Sequence, residues 1–180
     1  MRGIVVVTGA LAATATVLAA AALALVDFGL GGGAHQVVYP AAKEAGVTEV
    51  RTTKHYLIVL NVVPPEHMYP PAVAKRIHPT EGELNIRGTM APITPIARHF
   101  EAHIYSRRTG KPVHGAHPTI TVVDHTTGTT EQVRVTIMQD VVVGARDYHY
   151  GNNANMAYGH DFTITVRLNG EQAVYPVHLV

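Results

Sequence analysis

The sequence contains no cysteine and no tryptophan. Without cysteine there is no disulfide framework, no thiolate-bound zinc, no iron–sulfur cluster and no blue-copper site. There is also no residue to carry a lipoprotein anchor. Any metal ion must be held by histidine, methionine, carboxylate or water. Charge is scarce as well: 15% of the residues are charged and the formal net charge is +1, against about 25% charged in ordinary domains. The basic footprint of a nucleic-acid binder is missing, so no nucleic-acid partner is expected. Enzyme motifs are missing too. There is no G-x-S-x-G elbow, P-loop, Rossmann glycine pattern or H-E-x-x-H, and the chain is read as a non-enzyme. What it has in excess is histidine, 12 in 180 residues. Histidine is the commonest metal ligand and the side chain that titrates near neutral pH.

Arg2 precedes an uncharged apolar run from Ile4 to Val26. The run is longer than the roughly 7–15 residues of a secretory h-region and reaches the roughly 20 of a spanning helix. Ala22-Leu23-Ala24 offers a cleavage site. Signal peptide, uncleaved anchor and buried core helix all stay open, the last least favoured. Arg2 orients the remainder away from the cytoplasm. Residues 1–28 are therefore read as a signal peptide or a single transmembrane anchor helix. Residues 29–52, which begin with a glycine-rich joint, are read as a flexible linker. Residues 53–180 are read as the folded domain. The expected location is extracytoplasmic, in the periplasm or cell envelope, either secreted or held to the membrane by the N-terminal segment.

From Lys54 onward, short β-type runs alternate with turn signals. Strands are expected at residues 55–63, 83–89, 98–106, 119–123, 132–138, 162–168 and 173–179. Thr109-Gly110, Thr127-Gly128 and Asn169-Gly170 mark turns. Asn169-Gly170 is the strongest of these, because both central positions of a type I′ turn need positive φ. One helix is expected at residues 71–77, inside a Pro-rich insertion at residues 64–82. The pattern predicts an all-β fold, an immunoglobulin-like β-sandwich of about seven strands.

Three groups of residues could carry chemistry. In His99-Phe100-Glu101-Ala102-His103, alternate residues of a strand point the same way. His99, Glu101 and His103 then share a face about 6–7 Å apart, with Phe100, Ala102 and Ile104 on the core side. The bland reading is a solvated polar strand face. The second group is Asp147-Tyr148-His149-Tyr150-Gly151-Asn152-Asn153, expected as a loop between strands that turns sharply and presents His149. It is otherwise a Tyr-packed structural loop. The third is Met138, on the polar face of its strand with Arg134 and Thr136. Its thioether suits Cu(I), whereas His and carboxylate suit Cu(II), Fe or Zn. Met at a strand end more often packs under loops. Glu66-His67-Met68-Tyr69, in a Pro-flanked loop, is a lesser candidate. His55, His78, His117 and His125 are read as surface or capping groups.

Residues 99–104 resemble the His-x-Glu-Ala-x-Ile strand of the bacterial periplasmic iron-transport family. Residues 148–153 resemble that family's His-Tyr-Gly-x-Asn loop, and residues 160–166 the strand after it. The likeness covers roughly residues 98–168 and is distant. It implies an immunoglobulin-like protein that binds copper or iron and works beside a membrane iron permease, with a dimer interface. By the resemblance, His99, Glu101 and His149 are metal ligands. The family's methionine ligand would fall on Val142, and Met138 lies further back. The His-rich segment after the loop has no counterpart beyond His160, and the insertion at residues 64–82 is unlike the pattern.

Two function classes lead, ahead of an enzyme without a recognised motif. One is an extracytoplasmic metal-binding protein that handles copper or iron in support of iron uptake. Its ligands would be His99, Glu101 and His149, with Met138 and His103 as further candidates. The other is a non-catalytic immunoglobulin-like interaction or structural module at the cell surface. Convergence or divergence of His99, Glu101 and His149 separates them.

Overall fold

Runs of β-branched and aromatic residues bounded by Gly, Asn and Pro fold as packed sheets. The computed structural model describes residues 23–26, 37–40 and 46–180. In chain order the strands are β1 (Leu23–Val26), β2 (Val37–Pro40), β3 (Val47–Thr52), β4 (Tyr56–Val63), β5 (Met68–Tyr69), β6 (Glu83–Arg87), β7 (Ala97–Ser106), β8 (Thr119–Asp124), β9 (Thr129–Val133), β10 (Thr136–Asp140), β11 (His149–Asn155), β12 (Asp161–Leu168) and β13 (Glu171–His178). The helix α1 (Pro71–Ile77) lies between β5 and β6, and a 3₁₀ turn (Gly144–Asp147) precedes β11. A seven-stranded sheet has the order β3-β4-β7-β11-β10-β6-β5, and a four-stranded sheet the order β13-β12-β8-β9. β1 and β2 pair with each other as an antiparallel ribbon.

The all-β sandwich agrees with the alternation in the sequence, but the strand count does not. Residues 47–52, read as linker, pair with β4 along their own whole length. Residues 132–138, read as one strand, divide between sheets: β9 pairs with β8, and β10 pairs with β6 and β11. The crossing exposes backbone that needs partners. Asn152 Nδ2 donates to the Arg134 carbonyl at 2.6 Å. Residues 149–155, read as a loop, are a strand paired with β7. Residues 23–26, within the segment read as signal or anchor, form a strand. The rest of the signal or anchor segment, and residues 29–36 and 41–45 of the linker, lie outside the described residues. No helix among the described residues is long and apolar enough to cross a membrane.

The core lies between the sheets. Ile58, Leu60 and Val62 of β4, Phe100, Ala102 and Ile104 of β7, and Tyr150 of β11 meet Ile120, Phe162, Ile164 and Tyr175 of the smaller sheet. At the β12–β13 turn, Asn169 has φ 50° and Gly170 φ 79°, the two positive values that the Asn-Gly pair announced. Phe100 is fully enclosed. Phe100→Ala should therefore cost about 3–5 kcal/mol in a urea unfolding curve. A loss below about 0.5 kcal/mol would place Phe100 outside the core.

Candidate metal centre

Strand alternation gives β7 a second face, turned away from the core, and this face is also enclosed. His99 and His103 have no exposed surface, and Glu101 has 6%. The expectation of a solvated polar face is therefore corrected. Register shows which strands share this face, because directly opposed residues point the same way. Asn61 of β4 opposes Glu101, and Gly151 and Asn153 of β11 oppose Glu101 and His99. Met138 of β10 opposes His149 of β11, and Asn85 of β6 opposes Met138. His99, Glu101, His103, His149 and Met138 thus lie on one side of one sheet. The return through the 3₁₀ turn, with β11 a strand, sets Met138 level with His149. Val142, where the resemblance would put the methionine, is 71% exposed at the turn.

Two loops close over this face. Asn153 Nδ2 donates to the Glu66 carbonyl at 3.1 Å, and Glu66 N donates to Asn153 Oδ1 at 3.3 Å. The Pro-rich insertion is so tied to β11. On the other side, Asp140 N donates to Asp147 Oδ2 at 2.7 Å, which fixes the turn that carries Asp147.

The hydrogen bonds set the histidine tautomers. Asn153 Oδ1 can only accept, so His99 Nδ1–H donates to it at 3.0 Å and Nε2 keeps its lone pair. His149 Nδ1–H donates to the Asp147 carbonyl at 2.7 Å, with Asp147 Oδ2 at 3.2 Å. Both Nε2 atoms are buried without a hydrogen-bond partner, as is Glu83 Oε2. Glu101 Oε2 accepts from Asn61 Nδ2 at 2.8 Å and lies 3.2 Å from His103 Nε2. The His149 ring centroid is 5.8 Å from that of His99 and 5.1 Å from that of His103.

Ligand atoms of Glu83, His99 and His149 lie within 4.8 Å of one another. The same holds for His103, Asp147 and His149, and for Glu66, Glu83 and Glu101. Every histidine and carboxylate of the expected ligand set is in one of these groups. Three members were not in the expected ligand set. Asp147 stands beside His149 in the second candidate group without an expected ligand role, and Glu66 belongs to the lesser candidate. Glu83 opens an expected strand, yet only the pairing of β6 with β10 brings it here. His160, by contrast, lies just before β12 of the smaller sheet and pairs with Asp124 at 2.9 Å.

Burial and neighbouring charge act against each other in this cluster. Burial, helped by the His149 charge, lowers the His99 pKa to about 4 against the pull of Glu101. Burial also works to lower the pKa of His149, but Glu83, the Asp147 hydrogen bond and charge, and Glu101 raise it to about 10. Burial raises Glu83 well above the carboxylate range, with Asp147, Glu101 and Glu66 adding to it and His149 opposing. Burial would raise Glu101 too, but the His103 hydrogen bond and the charges of His149, His103 and His99 hold it far below that range.

Fold and cluster together define a β-sandwich with a buried histidine–carboxylate centre on the outer face of its larger sheet. No protein-family model and no curated protein matches the chain. Among solved structures it is similar to FetP of uropathogenic E. coli strain F11, crystallised as isolated after recombinant expression in the periplasm of E. coli BL21(DE3). The TM-score is 0.50 at 14% sequence identity, over 75% of this chain and 97% of FetP. At that identity the likeness is one of fold.

Proposed function

We propose that this chain is an extracytoplasmic metal-binding protein that handles a copper or iron ion in support of iron uptake. The observation that carries the reading is the state of His99 and His149. Each imidazole is anchored through Nδ1 and turns a buried Nε2 with no hydrogen-bond partner into the cluster. This is how metal-binding histidines are oriented by their surroundings. A buried polar atom left unpaired is costly, and a bound cation removes that cost. The donor set fits such an ion: two imidazoles, neighbouring carboxylates, and Met138 level with His149 as a soft donor. The likeness of residues 98–168 to periplasmic iron-transport proteins supports the same reading, as does the shared fold with FetP, which was expressed in a periplasm. The protein acts by binding, not by catalysis. A membrane iron permease is its proposed partner, and a homodimer its proposed assembly.

The test is elemental analysis of protein purified from its own compartment, followed by calorimetric titration with Cu(II) and, under reducing conditions, Cu(I). His99→Ala and His149→Ala should each lower affinity at least about tenfold, or about 1.4 kcal/mol, with an unchanged circular dichroism spectrum. Unchanged affinity in both variants would mean diffuse capture by other histidines. The interaction-module reading would then be the better one.

A further inference from the structure

Glu83 lies outside the segment that resembles the iron-transport family. It is 1% exposed, its Oε2 has no hydrogen-bond partner, and that oxygen lies 3.6 Å from His149 Nε2. Its position is held by backbone. Glu83 N donates to the His67 carbonyl at 2.8 Å. Gly82, at φ 92°, passes so near that an added Cβ would lie 2.5 Å from the same oxygen. The strand therefore starts where the insertion fixes it, and the carboxylate is directed at the two histidines. Removing a carboxylate from water without a partner is expensive. His149 Nε2, at 3.6 Å, is an ion-pair neighbour beyond hydrogen-bond reach, and a cation shared with His99 Nε2 and His149 Nε2 would complete the arrangement.

We infer that Glu83 is a metal ligand, and that with His99 and His149 it forms a two-histidine, one-carboxylate site for a hard divalent ion such as Fe(II) or Mn(II). This rests on the metal-binding reading above and names the ion class of that site. Two imidazoles and one carboxylate with open positions form the donor set of non-haem Fe(II) sites, whereas Cu(I) favours thioether over carboxylate oxygen. Ligand oxygens of Glu66 and Glu101 lie within 4.8 Å of that of Glu83. An ion at Glu83 thus has further hard donors within reach. Met138, opposite His149 on the same face, would serve Cu(I) without Glu83.

Full-length protein freed of metal is titrated with Mn(II), followed by the electron paramagnetic resonance of the free ion, and with Cu(I) against a chelator. Glu83→Gln keeps the shape and removes the charge. It should weaken Mn(II) at least about tenfold and change Cu(I) by less than about twofold. Equal losses for both ions would make Glu83 a support of the site's shape and overturn the inference. So would unchanged or tighter Mn(II) binding, because Glu83 would then be only the counter-charge of His149. If Glu83→Gln does not fold, Glu83→Asp keeps the charge and withdraws the oxygen. Mn(II) binding by Glu83→Asp equal to that of wild type overturns the inference as well. Wild-type protein that binds Cu(I) but not Mn(II) ends this inference alone. Wild-type protein that binds neither ends the metal-binding reading itself.

Discussion

Between pH 6.5 and 8.5 the apparent affinity for a divalent ion should rise at least about tenfold per pH unit, because each ion displaces at least one proton. The His149 pKa is raised from 6.5 to about 10, so the metal-free protein holds that proton throughout this window. A metal ion needs the lone pair, and lower pH defends the proton. His149 and Glu83 share a buried charge pair, and a second proton leaves with the ion if Glu83 is also protonated. Calorimetry in buffers of different ionisation enthalpy counts the protons directly. Zero release at pH 7.5 would remove His149 from the ligand set. The same shifts govern the metal-free fold. His149 binds a proton more tightly folded than unfolded. Its contribution is complete below pH 6.5 and is lost as pH rises toward 10. His99, lowered to about 4, contributes above pH 6.5 and loses that contribution as pH falls toward 4. From these two groups, metal-free stability peaks near pH 6.5. Ion-loaded protein, with His149 neutral, should instead grow more stable as pH rises.

Gly151→Ala should destabilise the protein by about 3 kcal/mol or more and abolish ion binding. Gly151 faces Glu101 across the β7–β11 pair. A Cβ there would lie 1.6 Å from the Phe100 carbonyl oxygen and 2.7 Å from its carbon. Backbone cannot swing aside as a long side chain can, so β11 must part from β7. His149 rides on β11 and His99 on β7, and the separation would pull the two imidazoles apart. Urea unfolding and a Mn(II) titration read the two effects. Wild-type stability in this variant would show that the strands are not so closely opposed.

Much of the framework was legible because its signals are local. The period of two in residues 98–106 predicted which side chains of β7 enter the core. Asn169-Gly170 predicted its turn from the φ values that those residues tolerate. Residues 71–77 were read as a helix and are one, with Pro at its start. The errors lie where local pattern yields to pairing. Residues 149–155 carry Gly and three Asn and read as a loop, yet the Asn152 and Asn153 side chains bind neighbouring backbone and Gly151 permits close approach. Residues 132–138 show one unbroken alternation, but the chain changes sheets within them. No local property marks that crossing.

By itself the sequence determined the chemistry available: no thiolate, an excess of histidine, and one strand that brings two imidazoles and a carboxylate to a fixed face. Those are properties of residue type and strand period, which do not depend on distant contacts. Only the tertiary structure decided that this face is buried, that the insertion and the Asp147 turn close it, and that β6 delivers Glu83 to it. These facts depend on which strands pair, and in what register. One residue of slip would turn Glu83 to the opposite face of its strand. Strand pairing is a long-range choice, made by the packing of the whole sandwich and not by the residues that profit from it.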